Sequence, residues 1–213
     1  MRAHQKAIDP GTLPDARTKR ALVGQAVDAF TAAGYVSIGI DHFALPDDEL
    51  AVAARERRLH RNFMGYTVRP APDSVGVGVS AIGDVAGAFA QNHKSLAGYY
   101  AAIDAGRFPV ERGYALSEDD HVRRYVIAEL MCNFHLDAAA LRRRFGVDLE
   151  ERFAPELQRL TEPGGPEADG LIRVASGGLT VTDIGRLFVR NVCMVFDQYL
   201  AAHDGRPVFS RTV

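Results

Sequence analysis

The sequence predicts an α/β unit that belongs to a larger sheet, followed by a mainly α-helical, winged-helix-like domain. An amphipathic helix that starts after Asp15 stops at Gly34, and an apolar strand over 35–40 follows at once. From about Ala115 the composition becomes helical. A glycine-rich hairpin signal at 176–178 then separates two short strands and precedes a last helix. We therefore expect two different architectures in one chain.

The first helix and strand form an αβ unit. Asp15 is a typical N-cap, and Gly34 is typical of the position just past a helix. Apolar residues recur between them at helical spacing: Leu22, Val23, Ala26, Val27 and Phe30. A short buried strand that follows a helix this closely is typical of parallel sheets. No second unit of this kind occurs in the chain, so we expect its sheet partners to lie elsewhere.

The segment after this strand carries charged and polar residues. Residues 41–43, Asp-His-Phe, close the strand, where polar side chains often face a ligand in barrels and open sheets. A capping aspartate and a packed histidine explain the same residues equally well. Asp47 then opens a helix that runs to about Arg58, with acids in its first turn and arginines in its last.

Residues 59–83 are rich in loop signals. Glycines alternate with valines over 75–79, and this pattern lacks the dinucleotide-binding fingerprint and the lysine of a phosphate-binding loop. The alternation predicts a strand whose backbone lies close to a bulky group. A tightly packed internal strand is the alternative.

The second half of the chain predicts helices and a hairpin. Ser117 and Asp120 resemble a capping box ahead of one apolar face formed by Val122, Val126, Leu130 and Phe134. Further helices are expected over 138–145 and 150–160. Strands are expected over 171–174 and 179–182, with Thr182 capping a last helix that carries Ile184, Phe188, Val192, Phe196 and Tyr199. We divide the chain into domains 1–112 and 113–213.

Composition narrows the function classes. Hydrophobic residues make up 47% of the chain, which is typical of globular proteins, and 25 Lys and Arg face 27 Asp and Glu. This charge balance argues against nucleic acid as the main partner. No apolar run approaches a membrane span, and the polar N-terminus has no secretory signal pattern. The two cysteines are expected to be reduced thiols, so we expect a cytoplasmic protein with no metal site of its own.

Four segments of the sequence closely resemble one enzyme family. They are residues 40–50, residues 59–67 with the string His-Arg-Asn-Phe-Met-Gly-Tyr, residues 76–83, and residues 190–194. These segments resemble the C-terminal part of oxygen-independent coproporphyrinogen III oxidase, a radical S-adenosylmethionine family of haem biosynthesis. The resemblance extends to Arg211 and so covers nearly the whole chain.

The resemblance implies that part of the enzyme is missing from this chain. The family's N-terminal half holds three clustered cysteines that ligate a [4Fe–4S] cluster, together with most of the barrel strands. This chain has only Cys132 and Cys193, which are too far apart in sequence to supply those ligands. The first domain is then the remnant of a radical-SAM partial barrel, the last αβ unit plus an extension. We expect the chain alone to be inactive and a complementary N-terminal half to be a partner.

The resemblance also implies a reaction and a cofactor pocket. In this family a 5′-deoxyadenosyl radical abstracts a hydrogen from a propionate, CO₂ is lost and a vinyl group remains. Two propionates of coproporphyrinogen III react in this way to give protoporphyrinogen IX. The family binds a second S-adenosylmethionine, and Phe63, Met64 and Ile82 would line that partial site here. Ordinary core packing is the alternative for each of the three.

Cationic residues are the candidates for binding this substrate. Coproporphyrinogen carries four carboxylates, which pair well with arginine. Arg61 lies within the most specific segment and is the first candidate, followed by His42 and Arg112. A plain surface role is the alternative for Arg112.

Two other functions remain open from the sequence. The chain could be a haem- or porphyrin-binding module related to this family. It could also be a winged-helix interaction or DNA-binding module, because Arg142, Arg143 and Arg144 form a basic patch. Few polar residues suited to reading bases accompany that patch, which argues against sequence-specific DNA binding.

Overall fold

The computed structural model of the chain describes residues 7–200, so the ends of the sequence, including the resemblance at Arg211, lie outside the described residues. A short 3₁₀ helix at Pro10–Thr12 precedes α1, Ala16–Ala32. The predicted N-cap is confirmed, since the Asp15 carboxylate accepts from the Thr18 amide at 2.7 Å. Gly34 follows the helix with a φ of +87°, a left-handed conformation that favours glycine.

The predicted strand is present as β1, Val36–Gly39, but its partner was not predicted. It pairs in antiparallel orientation with β2, His42–Ala44, across a turn in which Ile40 has a φ of 51°. Residues 42 and 43, expected to close the strand, therefore belong to a second strand. The parallel neighbours expected for β1 are not among residues 7–200, where every strand pairing is antiparallel.

A short helix and a hairpin complete the first hydrophobic cluster. The helix α2, Glu49–Arg55, is capped by Asp48 and ends three residues before the predicted Arg58. The hairpin consists of β3, His60–Asn62, and β4, Gly65–Thr67. The buried residues of this cluster are Ile38, Ala44, Ala51, Ala53, Leu59, Tyr66 and Cys132. Cys132 belongs to a later helix, so the cluster joins the two halves of the chain.

A three-stranded antiparallel sheet follows, in the order β5-β6-β7. Its strands are β5, Ile82–Val85; β6, Ala88–Asn92; and β7, Val110–Ala115, with the helix α3, Leu96–Asp104, between the last two. The register places Ile82 opposite Gln91 and Gln91 opposite Arg112. In the next row on the same face, Asp84 lies opposite Phe89 and Phe89 opposite Tyr114.

The strand predicted from alternating glycine and valine is wrong for residues 75–81. This segment is a loop with Val75 and Val77 at 79% and 84% exposure, so neither of the two expected strands forms there. The Asn92 side chain donates to the carbonyls of Gly76 and Gly78 at 3.0 and 2.9 Å. These bonds from a distant strand replace the ladder partners that a strand would need.

The C-terminal half starts with the longest of its helices, α4, Glu118–Asn133. Its predicted capping box is confirmed, because Ser117 and Asp120 each bind the other's backbone amide. The predicted apolar face is also confirmed: Val122, Val126 and Leu130 are buried, and Phe134 caps the helix. The elements that follow are β8, His135–Asp137; α5, Ala138–Phe145; α6, Leu149–Arg152; α7, Ala154–Thr161; β9, Ile172–Ala175; and β10, Gly178–Val181.

Three details of this half differ from prediction. The helix expected over 150–160 is two helices, with a break at Phe153. The predicted hairpin is present, but β8 also pairs with β10 and makes a three-stranded sheet. The last helix is a 3₁₀ turn at Gly185–Phe188 followed by α8, Val189–Met194, which leaves Tyr199 beyond the helix. A second buried cluster, which runs from Val122 to Phe196, holds these elements together.

Candidate functional site

Two of the predicted substrate-binding residues meet on one tyrosine ring. The imidazole of His42, on β2, packs edge-on against the Tyr66 ring with centroids 5.1 Å apart. The guanidinium carbon of Arg61, on β3, lies 5.0 Å from the centre of the same ring. Arg61 and Tyr66 are direct cross-strand partners in the hairpin, which explains their contact.

Tyr66 fixes this arrangement to the C-terminal half. Its hydroxyl donates to the Met131 carbonyl on α4 at 3.0 Å. A Cβ at Gly39 would lie 2.4 Å from the Tyr66 hydroxyl oxygen, and one at Gly65 would lie 2.9 Å from His42 Nε2. Glycine at these two positions is therefore what allows the two rings to approach the backbone so closely. His42 is also held by Asp41, whose carboxylate lies 2.8 Å from His42 Nδ1.

The predicted cofactor residues Phe63 and Met64 form an exposed apolar turn between β3 and β4. Phe63 is 60% exposed and Met64 is 92% exposed. The Met64 amide donates to the Asn62 side chain at 2.8 Å, which fixes the backbone of the turn. The Phe63 ring packs edge-on against Phe89 of β6, with centroids 5.6 Å apart. Through Phe63, the turn therefore packs against the three-stranded sheet.

The remaining two predicted residues, Ile82 and Arg112, share one row of that sheet. Gln91 lies between them, and Arg112 Nε donates to the Gln91 side chain at 2.7 Å. The fold therefore arranges the predicted site residues in two groups, one on Tyr66 and one on the sheet. The contact between Phe63 and Phe89 joins the hairpin to the sheet.

Sequence reasoning missed Phe89, Gln91 and Arg124 as members of this region. The Arg124 guanidinium, from α4, lies 5.4 Å from the centre of the Phe89 ring and pairs with Asp84. Phe89 and Gln91 share a face because they are two residues apart on one strand. Only their register against β5 and β7 relates them to the predicted residues, and no local signal encodes that register.

These observations can be compared with proteins of known identity. Residues 116–188 match the family model of the HemN C-terminal domain. The oxygen-independent coproporphyrinogen III oxidase of Synechocystis is 44% identical over 213 residues, covering 98% of this chain and 45% of the relative. That of Thermostichus vulcanus is 45% identical over 210 residues, covering 98% of this chain and 63% of the relative. The chain matches the C-terminal part of oxygen-independent coproporphyrinogen III oxidases.

A solved structure gives the same result. The radical SAM enzyme coproporphyrinogen III oxidase (HemN) of Escherichia coli superposes with a TM-score of 0.87 at 44% identity, covering 92% of this chain and 45% of that one. The resemblance found in the sequence is thus confirmed. The chain spans about half the length of the coproporphyrinogen oxidases it matches.

An iron–sulfur cluster like that of radical SAM enzymes does not fit the residues present. Such clusters are held by several cysteine thiolates. Cys132 and Cys193 are both buried, and burial raises the pKa of each thiol to about 12, so both stay protonated at neutral pH. Within residues 7–200, no group of three or more His, Cys, Asp or Glu side chains could hold a metal ion.

The basic patch suggested for DNA binding is largely engaged by neighbouring side chains. Arg142 pairs with Asp148, and Arg143 lies 3.7 Å from Asp137. Arg144 packs over the ring of Tyr125 at 5.1 Å. The first two border a cleft of about 520 Å³ between α5, α6 and the β9–β10 turn, whose lining includes none of the candidate residues described above. The carboxylates of Asp148 and Asp137 reduce the net positive charge that this face offers to a phosphate.

Across residues 7–200, none of the helices combines the length and the apolar character that crossing a bilayer requires.

Tyr66 makes the stability of the chain depend on pH in the alkaline range. Burial, and secondarily Cys132 nearby, raise the pKa of the Tyr66 phenol from 10.0 to about 12. Between these values the unfolded chain has lost the proton that the folded chain retains, so the free energy of unfolding falls as pH rises from 10 to 12. Below pH 10 both states are protonated, and this contribution is constant.

We expect Tyr66→Phe to remove this part of the pH dependence. The variant also loses the hydrogen bond to Met131, at a cost of about 1 kcal/mol. Urea unfolding at several pH values measures both effects. Tyr100→Phe, at a 57% exposed position, is the control for loss of a phenol and should change the free energy of unfolding at neutral pH by less than about 0.5 kcal/mol. If the free energy of unfolding fell equally with pH above 10 in wild type and Tyr66→Phe, the assignment of this pH dependence to Tyr66 would be wrong.

Proposed function

We propose that the chain is the C-terminal part of a coproporphyrinogen III oxidase and acts together with an N-terminal half. The N-terminal half would carry the iron–sulfur cluster and the first S-adenosylmethionine, which supply the radical. This chain would contribute binding residues for the tetrapyrrole and for a second S-adenosylmethionine. The observation that carries the proposal is the match in fold to the Escherichia coli enzyme, at a TM-score of 0.87.

The turn between β3 and β4 is the proposed wall of the second S-adenosylmethionine site. Exposed apolar side chains at Phe63 and Met64 suit an adenine ring or a methylene chain, because such ligands bury most of their surface in apolar pockets. Ile82 would complete this wall from β5. The backbone of the turn, fixed by Asn62, would offer polar groups to the ligand.

His42 and Arg61 are the proposed carboxylate-binding pair. The Tyr66 ring holds both residues, so little side-chain entropy remains to be lost when a propionate binds. Arginine can bind a carboxylate with two parallel hydrogen bonds. Arg112, tied to Gln91, would bind a second carboxylate from the sheet.

We infer that an N-terminal half covers α1. No residue of α1 is buried, although Leu22, Val23 and Phe30 lie on one side of it. Large apolar patches on a protein surface usually mark an interface. The matched oxidases are about twice as long as this chain, which supplies an occupant of suitable size.

We also propose the domain division 1–112 and 113–213. Its support is that six of the seven residues of the first buried cluster, from Ile38 to Tyr66, precede this boundary, whereas the second cluster, from Val122 to Phe196, follows it; Cys132 of α4 completes the first cluster and joins the two domains. The succession of α4, β8, three short helices and a hairpin supports a winged-helix-like second domain. With its arginines paired, this domain would serve packing rather than DNA binding. Its two buried free thiols support a cytoplasmic location.

The proposal is tested by adding an N-terminal half. The chain is co-expressed anaerobically with the N-terminal half of the Escherichia coli relative, and the complex is assayed for formation of protoporphyrinogen IX. We expect product from the complex and none from either half alone. A complex that copurifies but binds neither S-adenosylmethionine nor coproporphyrin III would contradict the proposal. Binding of haem instead would favour a haem-binding module.

Substitution of Arg61 tests the substrate site. Arg61→Ala should weaken coproporphyrin binding by about tenfold or more, because the variant loses hydrogen bonds to a charged carboxylate. Arg69→Ala removes an exposed arginine just beyond the same hairpin and serves as the matched control. Equal affinities of the two variants would exclude Arg61 from the site.

A further inference from the structure

Arg124 holds both members of one cross-strand pair. It projects from α4 onto the three-stranded sheet, where it pairs with the Asp84 carboxylate. Its guanidinium carbon also lies 5.4 Å from the centre of the Phe89 ring. Asp84 and Phe89 lie directly opposite each other on β5 and β6. One side chain from the C-terminal half therefore contacts both strands at one level of the sheet.

The Asp84 carboxylate needs this partner. The residue is only 7% exposed, and a buried carboxylate without a partner is costly. Its backbone exchanges two hydrogen bonds with Ser74, at 2.7 and 2.8 Å, which tie down the loop that leads to β5. Loss of Arg124 would disturb Asp84 and hence the packing of Phe89 opposite it.

Phe89 in turn supports Phe63. The two rings meet edge to face, with centroids 5.6 Å apart and planes inclined by 77°. Phe63 is 60% exposed, so it has few other neighbours to define its position. Edge-to-face aromatic pairs favour a defined orientation, because the electrostatics of the two rings add to the apolar contact.

One face of α4 contacts both groups of candidate residues, the group on Tyr66 and the group on the sheet. An α-helix turns by about 100° per residue, so Asp120, Arg124 and Met131 lie within roughly 40° of each other. Asp120 accepts from the Tyr114 hydroxyl at 3.4 Å, in the same sheet row as Phe89. The Met131 carbonyl accepts from Tyr66. The helix α4 therefore contacts both the three-stranded sheet and the β3–β4 hairpin.

We infer that Arg124 is a positioning residue: through Phe89 it holds the Phe63 side chain in the wall of the proposed second S-adenosylmethionine site. The part that concerns S-adenosylmethionine rests on the proposed function. The packing of Phe63 does not, and the two parts are tested separately.

The first test uses the absence of tryptophan from the chain. Phe63→Trp introduces a single tryptophan at the turn, which can be excited selectively at wavelengths above those that tyrosine absorbs, and its emission reports how firmly the ring packs. Adding Arg124→Leu should shift the emission to the red and lower its anisotropy. Arg144→Leu, which removes an arginine over Tyr125 and Phe145 instead, is the matched control and should change neither.

A second variant tests the contact between Phe89 and Phe63 by itself. Phe89→Leu leaves the pair between Arg124 and Asp84 in place and should loosen the introduced tryptophan in the same way. Unchanged emission and anisotropy in either folded variant would overturn the inference.

The second test measures S-adenosylmethionine binding by the complex of both halves, by equilibrium dialysis. Arg124→Leu should weaken the affinity about two- to fivefold, the effect of one exposed cation–π contact. Equal affinity in wild type and Arg124→Leu would overturn the inference. If the second site binds nothing in wild type while the introduced tryptophan responds to Arg124→Leu, the proposed function fails and the packing role of Arg124 stands.

Discussion

Replacing Phe153 by alanine is expected to lower the free energy of unfolding by about 3–5 kcal/mol. Phe153 is fully buried between α6 and α7 and packs edge-on against Phe196, with ring centroids 5.5 Å apart. The guanidinium groups of Arg123 and Arg152 lie 5.3 and 5.5 Å from the same ring. The substitution therefore leaves a cavity and also removes the surface on which two arginines rest.

Urea unfolding followed by circular dichroism measures this loss. Phe108→Ala is the matched control, because Phe108 is 90% exposed and its removal should change stability by less than about 0.5 kcal/mol. A loss below about 1 kcal/mol for Phe153→Ala would mean that the second cluster does not depend on this ring.

Replacing Gly178 by alanine is expected to destabilise the C-terminal sheet by about 3 kcal/mol or more. An added Cβ would lie 1.8 Å from the Leu136 carbonyl oxygen, which belongs to the neighbouring strand β8. The φ of Gly178 is +135°, which residues with a Cβ rarely adopt. Since β10 is the central strand, relief of the clash would require separating it from β8.

The adjacent glycine provides the control for this prediction. A Cβ on Gly177 would meet nothing within 4 Å, so Gly177→Ala should be nearly neutral. For a chain of this size, a loss of 3 kcal/mol corresponds to a fall in Tm of about 6–12 °C. Similar melting temperatures for the two alanine variants would contradict the strand geometry at Gly178.

Local patterns were sufficient to predict several helices and the starts of α1 and α4, but they gave no signal for α3. Asp15 caps α1, and the capping box at Ser117 starts α4, because a cap binds amides only two or three residues away. The apolar stripe of α4 was likewise readable from its spacing. The family resemblance was carried by short strings, which need no fold to be compared.

Local patterns failed where distant groups compete for the backbone. The segment 75–81 has a strand-like alternation, but Asn92 binds its carbonyls and holds it as a loop. Residues 41–43 were interpreted as the end of a strand, whereas the turn at Ile40 folds His42 and Phe43 back into β2. In the first case the deciding hydrogen bonds come from a residue outside the window that a pattern describes. In the second case the partner is the preceding strand β1, and the turn between them carries no glycine at Ile40 to signal it.

The sequence by itself determined which residue types are available to the candidate site, namely the apolar turn at Phe63 and Met64 and the arginines. It also showed that the chain has only two cysteines. Only the tertiary structure decided which of them meet: His42 with Arg61 on Tyr66, and Ile82 with Arg112 across Gln91. The physical reason is that strand register and helix placement are set by the best packing of the whole chain. Arg124 illustrates this, because its role depends on a residue 40 positions away that no local pattern relates to it.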